Sequence, residues 1–344
     1  MTFGPLRYFG PFFVALSIPA LYYGIGPLCP LLTIAALILF LAGAEWISVR
    51  GAPAERDDDT FGFRLLPFAY IPLHLAIIAW AIAQADHATS AGFAVLAFTV
   101  GTTTGIFGVL AAHDLIHGTN KLGHLFGAAM LSAMLYRHFR IAHLLGHHRW
   151  AASERDPATA RLGEGFYRFL ARTVPGQYLD AWRIEQRRIA LRNLSFWKNR
   201  LVRDALILAG LLLLILALSG WRGLALFVAQ SAMAIIVLEL FNYVAHYGLV
   251  RRIDGGRLEP FADRHSWNSS NVLANSMIFN MGRHADHHAR PVAPYQTLEP
   301  AYKAAELPLG YAGSILLALL PPLWHRVMDP EVQRLHTRSS NSPA

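Results

Sequence analysis

The feature that most constrains this chain is a series of long apolar blocks almost free of charge. A helix rises about 1.5 Å per residue and the bilayer core is about 30 Å thick, so blocks approaching 18–20 residues read as membrane spans. Six blocks fit that description: 9–24, 30–49, 65–83, 91–112, 205–218 and 224–244. Composition agrees. Hydrophobic residues make up 54% of the 344 and charged residues only 15%, against about 25% charged in an ordinary soluble domain. The expected fold class is all-α and integral to the membrane, with six transmembrane helices in one unit over 1–330 and a polar tail over 331–344. The first block lacks a small-residue cleavage site before Gly24 and a second block follows at once, so it reads as mature structure, not a signal peptide.

Six spans put both termini on one side. Of the 30 Lys and Arg residues, 29 fall on that side, and the opposite loops hold only Arg222. The positive-inside rule makes the shared side cytoplasmic. The net charge of +8 is then first a matter of topology, and second a means of docking an acidic soluble partner. No basic stripe with interleaved aromatics is present, so nucleic acid is not an expected partner. Two cytoplasmic segments are long, 118–203 and 248 onward. Within the first, 183–200 reads as an arginine-rich surface helix. The apolar stretch 312–323 is short and ends in Pro321-Pro322, so it reads as an interfacial or buried segment, not a seventh span. The tail from Arg338 is expected to be disordered. Cys29 is the single cysteine, which excludes an intrachain disulfide and a cysteine-built metal centre.

The chemistry gathers in four histidine groups: His113 with His117, His143 with His147 and His148, His246, and His284 with His287 and His288. All lie on the cytoplasmic side, and His113, His117 and His246 sit at span ends. Residues four apart on a helix share a face. His113 and His117 can therefore converge on one metal, as can His143 and His147; His284 can pair with His287 or His288. Consecutive histidines point in different directions, which suits two metals. A catalytic zinc site uses about three protein ligands, so nine imidazoles exceed the need of one ion. Spacing alone does not name the element, because imidazole suits zinc, copper, iron and nickel. His74, His87, His124, His138, His325 and His336 stand outside the groups. Ligating histidines usually donate their other N–H to a carboxylate or carbonyl. Asp114 and Asp286 lie inside the motifs, and Glu239 lies two turns before His246, deep in a span where a carboxylate is costly unless paired or functional.

These motifs, HDLIH, HLLGHH, NYVAHYGL and RHADHHARP, resemble those of the membrane alkane monooxygenases. That family includes xylene-type side-chain monooxygenases and is distantly related to membrane fatty-acid desaturases. The runs ERDPATARLGEGFYRFLARTV, His265-Ser-Trp-Asn-Ser, LPLGYAGS and PPLWHRVMD are similar too, so the resemblance covers most of 101–330. It implies a non-haem di-iron centre held by the nine histidines, O2 as co-substrate, and hydroxylation of a terminal alkyl or benzylic C–H of a hydrophobic substrate. It implies electrons from a separate rubredoxin or ferredoxin fed by an NAD(P)H reductase, and a bacterial inner membrane location. The chain departs from the pattern at Ala142 and Ala245, where glutamate is typical, at Asp114, where glutamate is usual, and at Gly118, where lysine is common. The substrate is therefore not fixed by the resemblance.

In the mechanism expected from sequence, His113, His117 and His143 face His284, His287 and His288 across the O2 site, and substrate enters laterally past Gly101, Gly105 and Gly108. Glycines at this spacing also serve close helix packing. Competing readings are desaturation or oxidative decarboxylation at the same site, a zinc-dependent hydrolase, for which no His-Glu-x-x-His is present, and a metal transporter.

Overall fold

The computed structural model describes residues 4–47, 61–300 and 305–341. Helices dominate. Among the described residues, strand pairing is confined to two-residue stretches: Ile253–Asp254 runs antiparallel to Arg257–Leu258, and Trp267–Asn268 runs parallel to Ala305–Glu306.

The first two apolar blocks form helices Gly10–Gly24 and Leu31–Ile47, and positions 48–49 of the second lie outside the described residues. The third and fourth extend beyond their blocks, to Phe61–Gln84 and Ser90–His117. Blocks 205–218 and 224–244 belong to one helical run, Arg200–His246, of 47 residues. At about 1.5 Å per residue a straight helix of that length would overshoot the bilayer core more than twofold. The run breaks at Gly220, whose φ of 60° and ψ of −170° suit glycine alone. The limbs fold back on each other. Adjacent residues Arg137 and Tyr136 reach Asp204 on one limb (2.9 Å) and Glu239 on the other (3.1 Å). At the turn, Arg222 donates to the carbonyls of Ala85 and Ala88, in the loop between two other apolar helices. A hairpin thus replaces the single long rod.

Large apolar side chains such as Phe13, Leu39, Leu206, Leu213 and Leu218 stand exposed on these helices. In water that surface would drive aggregation; in lipid it is the appropriate solvent boundary. Three described helices are long and apolar enough to cross a membrane, and this is an all-α membrane protein.

Gly101 and Gly105 let the fourth helix approach the 221–246 limb. A Cβ on Gly105 would lie 2.6 Å from the Ala234 carbonyl oxygen and 2.7 Å from Val237 Cβ, and one on Gly101 would lie 2.6 Å from the Gln230 carbonyl oxygen. These glycines serve backbone contact first. Within the fourth helix, Thr104–Gly108 forms a π turn, and His74 Nε2 braces its first residue through Thr104 Oγ1 at 2.8 Å.

Outside the apolar blocks, two helices bear on the bounds expected from sequence. The arginine-rich surface helix runs over Phe166–Leu191, earlier than 183–200, and a separate turn at Phe196–Lys198 leads to the next helix. Helix Pro321–Asn341 continues through residue 330, and Val332 is buried, with Gly248 leaving room for its methyl groups. Residues 342–344 lie outside the described residues. Helix Gly310–Ala318, of nine residues, is too short to cross the core.

Candidate metal centre

The C-terminal ends of the fourth helix and of the 221–246 limb bring His113, His117 and His246 to one level, and segments 139–150 and His284–Ala289 close over them. The imidazoles divide into two groups. His113, His117, His143, His148 and His287 form one, and His147, His246, His284 and His288 form the other. Ligand atoms within each group lie within 4.8 Å of one another.

This division departs from the spacing expected from sequence. His113 and His117 do share a group, because they lie on an α-helical turn. His143 and His147 do not. Residues 142–147 form a π turn, whose wider i→i+5 repeat aligns His143 with His148 and turns His147 toward the other group. On helix His284–Ala289 the α repeat pairs His284 with His288 and sends His287 across to the first group. Each His-His pair therefore straddles the two groups, and the expected face-to-face arrangement of 113/117/143 against 284/287/288 is replaced by an interleaved one.

The ring nitrogens that converge are Nε2 atoms. In the first group, His143 Nε2 lies 2.8 Å from His113 Nε2, 3.0 Å from His117 Nε2 and 3.0 Å from His148 Nε2, while His148 and His287 are 3.2 Å apart. In the second, His284 Nε2 lies 3.3 Å from His246 Nε2 and 3.2 Å from His288 Nε2. A cation bound to imidazole at about 2.0–2.1 Å requires its ligands about 2.9 Å apart at right angles, or about 3.3–3.4 Å apart at tetrahedral angles. Both groups fall in that range. The second nitrogens tell the same story. His147 Nδ1 bonds Asp156 Oδ2 at 2.8 Å, leaving its buried Nε2 without a hydrogen-bond partner among the described residues, and His246 Nδ1 reaches the His265 carbonyl at 3.1 Å. Bare Nε2 lone pairs facing one another repel, and a shared cation removes that repulsion.

Electrostatics favour the form a metal needs. Burial, reinforced by neighbouring imidazoles, holds His143, His148, His284, His287 and His288 well below the usual histidine range, so these rings are neutral. Burial alone would raise the Asp156 carboxyl; the adjacent His147 imidazole and the hydrogen bonds from it and from Thr159 outweigh that and hold Asp156 below its ordinary value.

The carboxylates singled out from sequence bond elsewhere. Asp114 accepts the Tyr295 backbone N–H, and Asp286 takes Arg290 and the Glu299 N–H. Glu239, fully buried, accepts from Tyr136, Thr173, Gln177 and Asn242. Asp156 is the one that sequence reasoning missed. A lone aspartate between an arginine and a proline gives no sign that it is buried, and its only signal was membership of the ERDPATAR run.

A narrow apolar cavity of about 90 Å³ meets both groups, touching His113 and His143 of the first and His284 of the second. Val109, Leu110, Leu238 and Phe241 form much of its wall. Gly105 lines it too, although its Cβ direction points into the helix contact.

Residues 88–314 match the family model described as fatty acid desaturase. Alkane 1-monooxygenase 2 of Pseudomonas aeruginosa is 39% identical over 79% of this chain and 74% of its own length. Alkane 1-monooxygenase 1 of the same organism is 35% identical over 94% of this chain and 84% of its own length. The xylene/toluene monooxygenase hydroxylase component of Pseudomonas putida is 29% identical over 62% of this chain and 57% of its own length. With its interleaved histidines at the end of an apolar cavity, the chain belongs to the alkane monooxygenase family, within the wider fatty acid desaturase group.

Proposed function

We propose that this protein is a membrane monooxygenase that hydroxylates an unactivated C–H, a terminal alkyl or benzylic methyl, of a hydrophobic substrate. The observation that carries the reading is the apolar cavity ending on both histidine groups. A substrate there has its C–H against the metal ligands and its remaining surface against aliphatic side chains.

Two irons are the proposed occupants, held by His113, His117, His143, His148 and His287 and by His147, His246, His284 and His288. Bound there, iron supplies O2 activation and C–H oxidation, with one oxygen atom going to the alcohol and the other to water. The chain supplies position. Asp156 fixes the tautomer and orientation of His147, and the His265 carbonyl does the same for His246. Glu239 ties Tyr136, Thr173 and Gln177 to Asn242, one turn before His246, and so braces the segments around the second group. Asp114 and Asp286 hold the covering loop, through Tyr295 and Glu299. Val109, Leu110 and Leu238 exclude water.

The reaction consumes an electron pair that the chain cannot store, so a separate rubredoxin or ferredoxin with an NAD(P)H reductase is the proposed source. A groove rimmed by Arg149, Arg155, Arg183, Arg187 and Arg192, with Trp150 in its wall, supports an acidic carrier. Trp150 lies two residues past His148, and the Arg155 guanidinium covers its ring at 3.9 Å. Six spans are proposed, with the termini and the histidine cap cytoplasmic and the bacterial inner membrane as the site.

The test is metal content and O2-dependent product in one detergent preparation. About two irons per chain, with alcohol formed from alkanes or alkylbenzenes when a carrier system is supplied, is the expected result. An alkene product would move the assignment to desaturation. Zinc without iron, in a protein indifferent to O2, would overturn the oxygenase reading.

A further inference from the structure

The wall of the cavity holds one carboxylate, Glu45, near the end of helix Leu31–Ile47. Glu45 is half-buried, and a carboxylate that lines an apolar cavity in a membrane protein is a candidate for function. Its Oε1 accepts the Ser269 hydroxyl at 2.8 Å. Ser269 stands beside the second histidine group: its N–H bonds the Gly282 carbonyl at 2.9 Å, two residues before His284, and the adjacent Asn268 Oδ1 takes the Ala285 N–H at 2.8 Å. The polar pair is therefore tied to the segment that carries His284, and it lines the same cavity as His284.

Glu45 also lines a second pocket of about 210 Å³, with Ser270, Asn271, Glu306 and Gly310. The two spaces share this side chain as a partition. Gly310, with φ of +57°, makes the placement possible, since a Cβ there would run into the Glu45 carboxyl carbon.

Resting on the hydroxylase reading, we propose that Glu45 and Ser269 form a polar gate that passes the alcohol product from the apolar cavity into this second pocket. An alkane has nothing to exchange for the Glu45–Ser269 bond, so the gate stays closed to substrate. An alcohol donates its O–H to Glu45 and accepts from Ser269. It replaces one hydrogen bond with two, and opens the gate it needs.

The experiment compares wild type with Glu45→Leu, Glu45→Gln and Ser269→Ala in nanodiscs, as the iron-loaded enzyme. Losing a hydrogen bond to a charged group amounts to about tenfold in rate. Glu45→Leu should lower kcat about tenfold with alkane KM falling in proportion and kcat/KM held, leave the single-turnover rate of alcohol formation unchanged, and add a burst of one enzyme-bound alcohol. Glu45→Gln, which keeps an acceptor, should recover most of the rate, and Ser269→Ala should fall between. An equal fall in the single-turnover rate would make Glu45 a structural residue and overturn the gate; so would an unchanged kcat. Exchange of added 1-octanol and of octane with the protein is measured in parallel and needs no turnover. Slower exchange of octanol alone in Glu45→Leu supports the gate, and equal effects on both molecules overturn it. Absence of alcohol from the wild type would instead count against the hydroxylase reading.

Discussion

Asp156 and His147 meet through a 2.8 Å hydrogen bond between Oδ2 and Nδ1, and both side chains are almost fully buried. Thr159 Oγ1 donates to the same Oδ2, and the Ala158 N–H donates to Oδ1. The bond fixes His147 as the Nδ1–H tautomer, so Nε2 is the atom offered to a metal. Asp156→Asn should weaken metal binding in that group by about 10–100-fold and leave the five-histidine group loaded. Metal content after dialysis against a graded chelator series checks this; full retention would deny Asp156 its orienting role.

The interleaving of the histidines makes a pairing prediction. His117→Ala and His287→Ala belong to one group, and His246→Ala and His288→Ala to the other. The two members of each pair should leave the same residual Mössbauer or EPR signature, although they come from different motifs. If His287→Ala resembled His288→Ala instead, the motif and not the fold would define the sites.

Gly105 sits against the Ala234 carbonyl oxygen and Val237. A leucine there should overpack the helix contact and cost about 1–3 kcal/mol, seen as a lower Tm in detergent together with loss of activity on substrates of every length. Val109→Phe instead fills the cavity one turn before His113. It should shift the product profile toward shorter chains with a smaller change in Tm.

Charge reversal in the arginine groove should separate electron delivery from chemistry. Arg183→Glu combined with Arg187→Glu is expected to raise KM for an acidic carrier about tenfold or more, and to remove most of its salt dependence. Turnover driven by a small chemical reductant should be unchanged. Equal losses with both reductants would place the damage in the fold.

Glu185 is enclosed and takes bonds from Arg188 and Arg200. Burial opposes its ionisation, but the Arg200 and Arg188 bonds prevail and hold its pKa at about 2, below the usual 4.5. A depressed carboxylate stabilises the fold above its unfolded pKa, and that contribution is lost as pH falls from about 4.5 through about 2. Tm should decline over that window in the wild type. Glu185→Gln should start lower at pH 7, by on the order of 1.5–3 kcal/mol, and decline less steeply; parallel curves would remove Glu185 as the source.

The sequence by itself determined the apolar helices and the nine imidazoles that the fold gathers, because hydropathy and residue type are local properties that survive in any fold. Spacing also identified His113 with His117, since an ordinary α turn joins them. It failed at His143 and His147 because a π turn has no distinct local signature: whether the backbone takes i→i+4 or i→i+5 bonds depends on what packs around it. The reversal at Gly220 within one helical run, the crossing of His287 to the far group, the burial of Asp156 against His147 and the placing of Glu45 against Ser269 were decided by contacts outside the reach of a helical repeat, from nine to more than two hundred positions apart. Only the tertiary structure sets such contacts, since each depends on which distant surface a helix finally covers.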